Sequence, residues 1–440
     1  MRRVKSTRRL FIKSITVLAA ATGLPRWYLE EALAAPAPVS ATKPNNGPGI
    51  ALVGCGGMGR ADLKNASRFG RVVALCDVDA AHLAAAKADW PDAATFKDFR
   101  KVMEQAEVNA VICGTVDHWH TMVSLAAMRA GKDIYCEKPL TLTIDEGKHV
   151  VKAQKQTGRV LQTGTQQRSD PKFRLACELV RNGRLGKLQH IEVWVPMGRR
   201  EGPFKTSTAP SSFDFDFWLG PRPKVDYVKE RTHGTFRYWW DYAGGTMTDW
   251  GVHHNDIALW GLGLNPSGPV RIEAKPRVEM IPGGYTAYSE FEVHYTYANG
   301  VTHTCQSTTA NGPAGAVLDP KGPQHGIRFE GSDGWIFVTR GKIEASRPEL
   351  LETPLPADAV RLYVSDDHMG NFFECIQSRK APIADVEIGH RSASICQLGV
   401  IALRLGRPLK WDPEKQKFVG DKEANQWLSR EMRQPWSLEG

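Results

Sequence analysis

From residue 49 onward the chain alternates short apolar runs with segments of helical period. Residues 50–53, 72–75, 110–113, 133–135 and 160–163 read as strands, and residues 81–89 and 121–130 as two of the helices between them. That alternation predicts a parallel sheet. After about residue 167 the pattern changes to longer strand-like stretches at 188–195, 270–278, 288–297, 301–307 and 326–338. Asn299-Gly300 sits between two of them, and this dipeptide between alternating apolar residues predicts a hairpin, hence a mostly antiparallel second sheet. Helical character returns at 367–378 and 389–405. An open sheet with one bare face needs cover, which predicts a homo-oligomer.

Two segments precede this pattern. Residues 35–48 are rich in Pro, Ala, Asn and Gly without an apolar period and read as a linker. Before them, Thr7-Arg8-Arg9-Leu10-Phe11-Ile12-Lys13 has the twin-arginine pattern, followed by an apolar stretch over 14–24 and the small-residue site Ala32-Leu33-Ala34. The expectation is an export signal cleaved near Ala34 and a periplasmic or otherwise exported protein. The apolar run is too short for a bilayer core of about 30 Å, so no stable membrane insertion is expected after processing. The domain plan is therefore 1–34 signal, 35–48 linker, 49–167 first domain, 168–410 second domain and 411–440 tail.

Composition supports a globular enzyme-sized protein: 440 residues, 42% hydrophobic and 24% charged, enough for two domains. The net charge of +9 does not point to nucleic acid, because the first 34 residues hold seven Lys or Arg against two Asp or Glu, and the rest is nearly balanced. Eight cysteines lack paired or metal-ligand spacing, so they are read as buried thiols and no metal site is expected.

The first chemical signal is Gly54-Cys55-Gly56-Gly57-Met58-Gly59, a GxGxxG pattern directly after an apolar strand and ahead of a helical segment. Gly54 permits the tight turn, Gly56 lets backbone approach a pyrophosphate, Gly59 allows close helix packing, and the helix N-terminus favours negative charge. Gly57 and Met58 belong to the same loop. The next strand ends in Asp77, about 20 residues on, where a carboxylate bonds an adenosine ribose. Asp77 favours NAD over NADP, with Arg60 as a partial offset. The fold class that follows is α/β: an N-terminal NAD(P)-binding Rossmann domain and a C-terminal α+β domain with a large, mostly antiparallel open sheet.

Residues 131–140 contain Glu137-Lys138-Pro139 after a strand, and the chain thereby resembles the Gfo/Idh/MocA oxidoreductases. Asp117-His118-Trp119-His120 and the run from Gly244 to Asp256 extend the resemblance over roughly residues 49 to 410. It implies that Lys138, Asp249 and His253 line the substrate beside the nicotinamide and that a cis bond precedes Pro139. Glu137 and Lys138 are expected at the cofactor, and His118 and His120, which follow a strand ending at the crevice, offer one residue that borders it, His118 being the choice, with loop packing as the alternative. Spacing independently places Asp249 and His253 four apart on one helix face, with Asp256 beside them. Oxidising a secondary alcohol needs a base, for which His253 is suited, and Lys138 can polarise the oxygen. The aromatic cluster Phe236, Tyr238, Trp239, Trp240 and Tyr242 is read as core rather than as a sugar platform, and Arg168 and Arg237 receive no role.

These residues predict an exported NAD-dependent oxidoreductase acting on a sugar, polyol or glycoside, with the cofactor retained and recycled because free NAD is scarce outside the cytoplasm. Two alternatives stay open: an NAD-dependent glycosidase working by transient oxidation and elimination, and a binding protein without catalysis.

Overall fold

The computed structural model describes residues 8–34, 47–264, 267–308 and 324–439. All but the last two residues of the expected linker lie outside them. Six strands, β1 (Gly49–Val53), β2 (Arg71–Cys76), β3 (Ala94–Phe96), β4 (Ala110–Cys113), β5 (Asp133–Cys136) and β6 (Leu161–Thr163), form a parallel sheet of order β3-β2-β1-β4-β5-β6. β1, β4 and β5 are buried at every position, as a sheet covered on both faces requires. The order reverses between β1 and β4, and the crevice beyond the strand C-termini at that point is where such sheets bind ligands.

The second sheet has nine strands: β7 (Leu188–Val195), β8 (Arg271–Pro276), β9 (Phe291–Thr296), β10 (Thr302–Ser307), β11 (Gly326–Gly331), β12 (Gly334–Thr339), β13 (Lys342–Ala345), β14 (Leu409–Asp412) and β15 (Lys417–Phe418). All its ladders are antiparallel except β7 with β10. The hairpin turns at Gly300, whose φ of +83° requires a residue without a Cβ penalty. β14 crosses the boundary drawn at residue 410 and β15 lies in the segment read as a tail, which thus adds to this sheet, and Trp436 beyond them packs edge-on against Trp119.

Helix His368–Ser378 returns to the first domain. Met369, Phe372 and Phe373 share a core with Ile50, Leu52, Leu75 and Tyr135. The backbone N–H of Thr163 in β6 donates to the Ala384 carbonyl, and Arg379 makes a two-pronged pair with the buried Asp133 at 2.8 and 2.9 Å.

The N-terminal segment is helical over Arg8–Thr22 and Arg26–Ala34, and it docks on the second domain. Trp27, Tyr28 and Leu29 are buried in its core. Trp27 Nε1 donates to the Leu351 carbonyl at 2.8 Å, and Tyr28 Oη accepts from Arg174 Nε at 2.7 Å. Among the described residues no helix is long and apolar enough to cross a membrane.

Candidate active site

A cleft of about 430 Å³ runs from the glycine loop and Asp77 to Lys138 and Arg237, and Gly56, Gly57 and Met58 line it. Gly54 has φ +93°, and a Cβ there would lie 2.6 Å from the backbone of Gly114, at the end of β4. A Cβ on Gly59 would lie 2.0 Å from the Gly54 carbonyl, so these two glycines let strand, loop and helix approach one another. Gly56 and Gly57 differ. A Cβ on Gly56 would meet only His82, at 4.0 Å, and one on Gly57 nothing within 4 Å. Open space therefore stands over the N-terminus of helix Gly57–Ala66, which fits a pyrophosphate. Asp77 accepts the N–H groups of Cys55 and Asp79 at 2.7 and 2.8 Å, which fixes its carboxylate beside the loop for a ribose diol. Arg60 is paired with Asp89 at 2.6 Å and so drawn away from any 2′-phosphate. This donor set fits NAD.

At the other end, Lys138 projects from the loop after β5, behind a cis Lys138-Pro139 bond. Its Nζ lies 2.5 Å from Asp249 Oδ1 and 3.1 Å from the Asp249 carbonyl, while Arg237 Nε lies 3.1 Å from the same Oδ1. Burial opposes charge on Asp249, but Lys138 and Arg237 outweigh it and hold the carboxyl below its ordinary range. The expected single helix is two pieces, Thr246–Asp249 and Gly251–Leu262, meeting at Trp250, whose right-handed helical backbone keeps the path nearly continuous. His253 is 5% exposed, and its Nδ1 has no hydrogen-bond partner among the described residues. Burial, reinforced by Lys138 and Arg340, depresses its pKa strongly, so the imidazole is neutral. Glu137 and Asp117 also line the cleft. Burial pushes each up to about 7, against Lys138 for Glu137 and against Arg237 for Asp117.

Other expected residues fall elsewhere. His118 does not border the cleft: its Nε2 contacts the Trp218 carbonyl at 2.8 Å and its ring packs against Trp218 and Tyr242, so the cofactor role is corrected to a packing one. His120 lines the cleft instead, its Nδ1 2.7 Å from the Pro139 carbonyl. Asp256 faces the interior, where Arg168 grips it through two bonds of 2.7 and 2.8 Å and Ser392 donates to it. The pair fixes helix Gly251–Leu262 from behind. Phe236, Trp239 and Tyr242 are buried, as a core reading requires, although Phe236 also touches the cleft. All eight cysteines are free and buried.

Sequence reasoning passed over Arg237, Asp117 and Arg340. Arg340, at the end of β12, stacks over Trp250 at 4.9 Å, and its Nε donates to Gln167 Oε1 at 3.2 Å. Gln167 in turn donates to the His253 carbonyl at 3.2 Å. Asp117 opens the run Asp117-His118-Trp119-His120, but the groups that act on its charge, Arg237, Asp249 and Lys138, are distant in sequence.

Comparison with known proteins bears on the family and the fold. Residues 49–165 match the family model of the oxidoreductase NAD-binding Rossmann fold, and residues 192–438 match its C-terminal alpha/beta domain, both of the Gfo/Idh/MocA type. Inositol 2-dehydrogenase 2 of Saccharopolyspora erythraea is 32% identical over 179 residues, 39% of this chain and 53% of that protein. The match thus spans about half the relative's length. The scyllo-inositol 2-dehydrogenase (NAD(+)) of Bacillus subtilis is 26% identical over 74% of this chain and 83% of its own. In fold, the chain is similar to a levoglucosan dehydrogenase in complex with NADH and levoglucosan (TM-score 0.61, 17% identity, 82% of this chain and 99% of that one). It is also similar to an aldose-aldose oxidoreductase from Caulobacter crescentus (TM-score 0.59, 19% identity, 83% and 100%).

Proposed function

The chain belongs to the Gfo/Idh/MocA oxidoreductase family, and from that premise we propose that it oxidises a secondary alcohol of a sugar, polyol or glycoside with NAD. The observation that carries this reading is the ion pair of Lys138, which lines the end of the cleft remote from Asp77, with Asp249, close enough to the buried His253 for Lys138 to help keep that imidazole neutral. When bound, NAD supplies the hydride acceptor. His253 is unprotonated at neutral pH and takes the hydroxyl proton. Lys138, cationic and held by Asp249, stabilises the oxygen as negative charge develops on it. Asp249 stays ionised and orients Lys138, and Arg237 fixes Asp249 from the other side. The Arg168–Asp256 pair holds the helix that presents His253 and is a positioning element.

Export and a retained cofactor complete the proposal. Export rests on the Arg8-Arg9 pattern and the site at Ala32–Ala34; N-terminal sequencing of the protein from its own cells tests it, a start at Met1 being the outcome that rejects it. Retention follows from scarcity of NAD in such a compartment, and a fold neighbour named aldose-aldose oxidoreductase accords with a recycled cofactor.

Purified protein mixed with free sugars and aryl glycosides, followed for reduced nicotinamide absorbance and aglycone release, tests the reaction. Reduction that a second sugar reverses is the expected result. Aglycone release without lasting reduction would make the protein a redox-assisted glycosidase, and binding without either would remove catalysis altogether.

A further inference from the structure

One cluster of metal-ligating side chains sits at the Asp77 end of the cleft, where His82 and His233 line it, away from Lys138 and Asp249. Asp79 is the N-cap of helix Ala80–Asp89, and His82 is the third residue of that helix, so both stand on its first turn. His233 arrives from the second domain at the start of the turn His233–Tyr238, with a φ of 52° that few side chains adopt. Asp79 Oδ2 lies 3.3 Å from His233 Nε2, and the two imidazole rings are 4.6 Å apart. One ligand atom from each of the three residues falls within 4.8 Å of the others.

The geometry is prearranged on the carboxylate side. Asp79 Oδ1 accepts the Ala81 N–H at 2.7 Å, which holds the carboxylate still. Backbone bonds from Ala80 N–H to the Ser212 carbonyl and from Asp214 N–H to the Val78 carbonyl, 2.9 and 3.0 Å, join the two domains at this seam, so the three residues face one another without help. His82 and His233 are 37% and 44% exposed in their side chains; His82 Nδ1 faces Asp77 Oδ2 at 3.8 Å, and the His233 ring packs against Phe213 at 5.3 Å.

Two imidazoles and one carboxylate are the donors of a zinc-class ion, whereas calcium and magnesium take oxygen ligands. Tetrahedral bonds of about 2.0–2.1 Å place ligand atoms roughly 3.3 Å apart, so the widest separation must contract by roughly 1.5 Å, within reach of ring rotation. We propose that Asp79, His82 and His233 bind one divalent ion of the zinc class, which ties the nucleotide-binding domain to the second domain beside Asp77. The site borders the cleft read as the NAD site and does not rest on the roles of Lys138, Asp249 and His253. A second cluster, Cys113 with His120 and Cys136, is fully buried, and both nitrogens of His120 already face carbonyl oxygens.

The test uses the full chain, stripped with EDTA and titrated at neutral pH with ZnCl₂ by calorimetry and with CoCl₂ by absorption. The expected result is one ion per chain, a tetrahedral cobalt spectrum without thiolate charge transfer, and a rise in Tm with zinc. His233→Gln and Asp79→Asn should each weaken binding by at least about tenfold while circular dichroism shows a folded chain. Should either fail to fold, the exposed His82→Gln serves in its place. Absence of a stoichiometric site, binding unchanged in these variants, or a thiolate charge-transfer band, which would assign the ion to Cys113 and Cys136, overturns the proposal.

Discussion

Lys138 Nζ and Asp249 Oδ1 meet at 2.5 Å although 111 residues separate them, so the reacting end of the cleft exists only when the two domains close on each other. Lys138→Met removes both the cation beside the developing alkoxide and the leading partner of Asp249. Turnover should fall by about 10²–10⁴ with NAD still bound. Loss of NAD binding in step with turnover would contradict the assignment.

His253→Asn removes the neutral base and keeps a polar side chain of moderate size. A turnover loss of about 10²–10⁴, at unchanged NAD affinity, is the expected result in single-turnover kinetics. An effect on KM alone would reduce His253 to a binding contact.

Asp77→Ala should raise the NADH dissociation constant by about 10- to 100-fold, the range for charge-assisted bonds of about 1.5–3 kcal/mol. NADPH should gain little, since Arg60 stays tied to Asp89. Fluorescence titration with both nucleotides decides the matter; a large NADPH gain would show that Asp77 repulsion alone set the preference.

Asp117 carries a linkage signature. Its carboxyl titrates near 4 when unfolded and at about 7 when folded, because burial disfavours the charge. The folded state therefore binds more protons between those values, and this residue's contribution to stability falls as pH rises from about 4 to about 7. Urea unfolding of the wild type and of Asp117→Asn from pH 4 to 8 should show the wild type losing ground to the variant across that window. A constant difference would mean that Asp117 is not perturbed.

Trp27→Ala in the full chain should cost about 3–5 kcal/mol, the range for truncating a buried aromatic, together with the Nε1 bond to Leu351. Equilibrium denaturation measures it. A cost near zero would mean that helix Arg26–Ala34 does not dock.

The two sheets and the cofactor loop were legible because their signals are local: Gly54 to Gly59, Asp77 and Glu137-Lys138 each lie within one strand and its following turn. Arg237 and Arg340 were not, since each reaches the site through tertiary closure from a segment whose own pattern says nothing. His118 and His120 show a different limit. Two positions apart on helix Asp117–Arg129 they point about 200° apart, so the motif offers both and only packing says that His120 faces the cleft. The N-terminal segment has apolar and basic residues in the order an export signal needs, and the same residues suit an amphipathic docking helix; Arg174 and Leu351, which receive Tyr28 and Trp27, are invisible from that end of the chain.

Phe372 and Phe373 complete the core beneath Ile50 and Leu52, and this sets an order of events during synthesis. The nucleotide-binding sheet leaves the ribosome early, and helices Gly57–Ala66 and Ala80–Asp89 cover part of this face, but the part that Met369, Phe372 and Phe373 complete stays open until the chain has been translated past residue 373. The first domain to be made is thus the last to be sealed. In the interval it depends on chaperones or on speed, and a fragment ending near residue 165 should aggregate even though it contains the whole glycine loop.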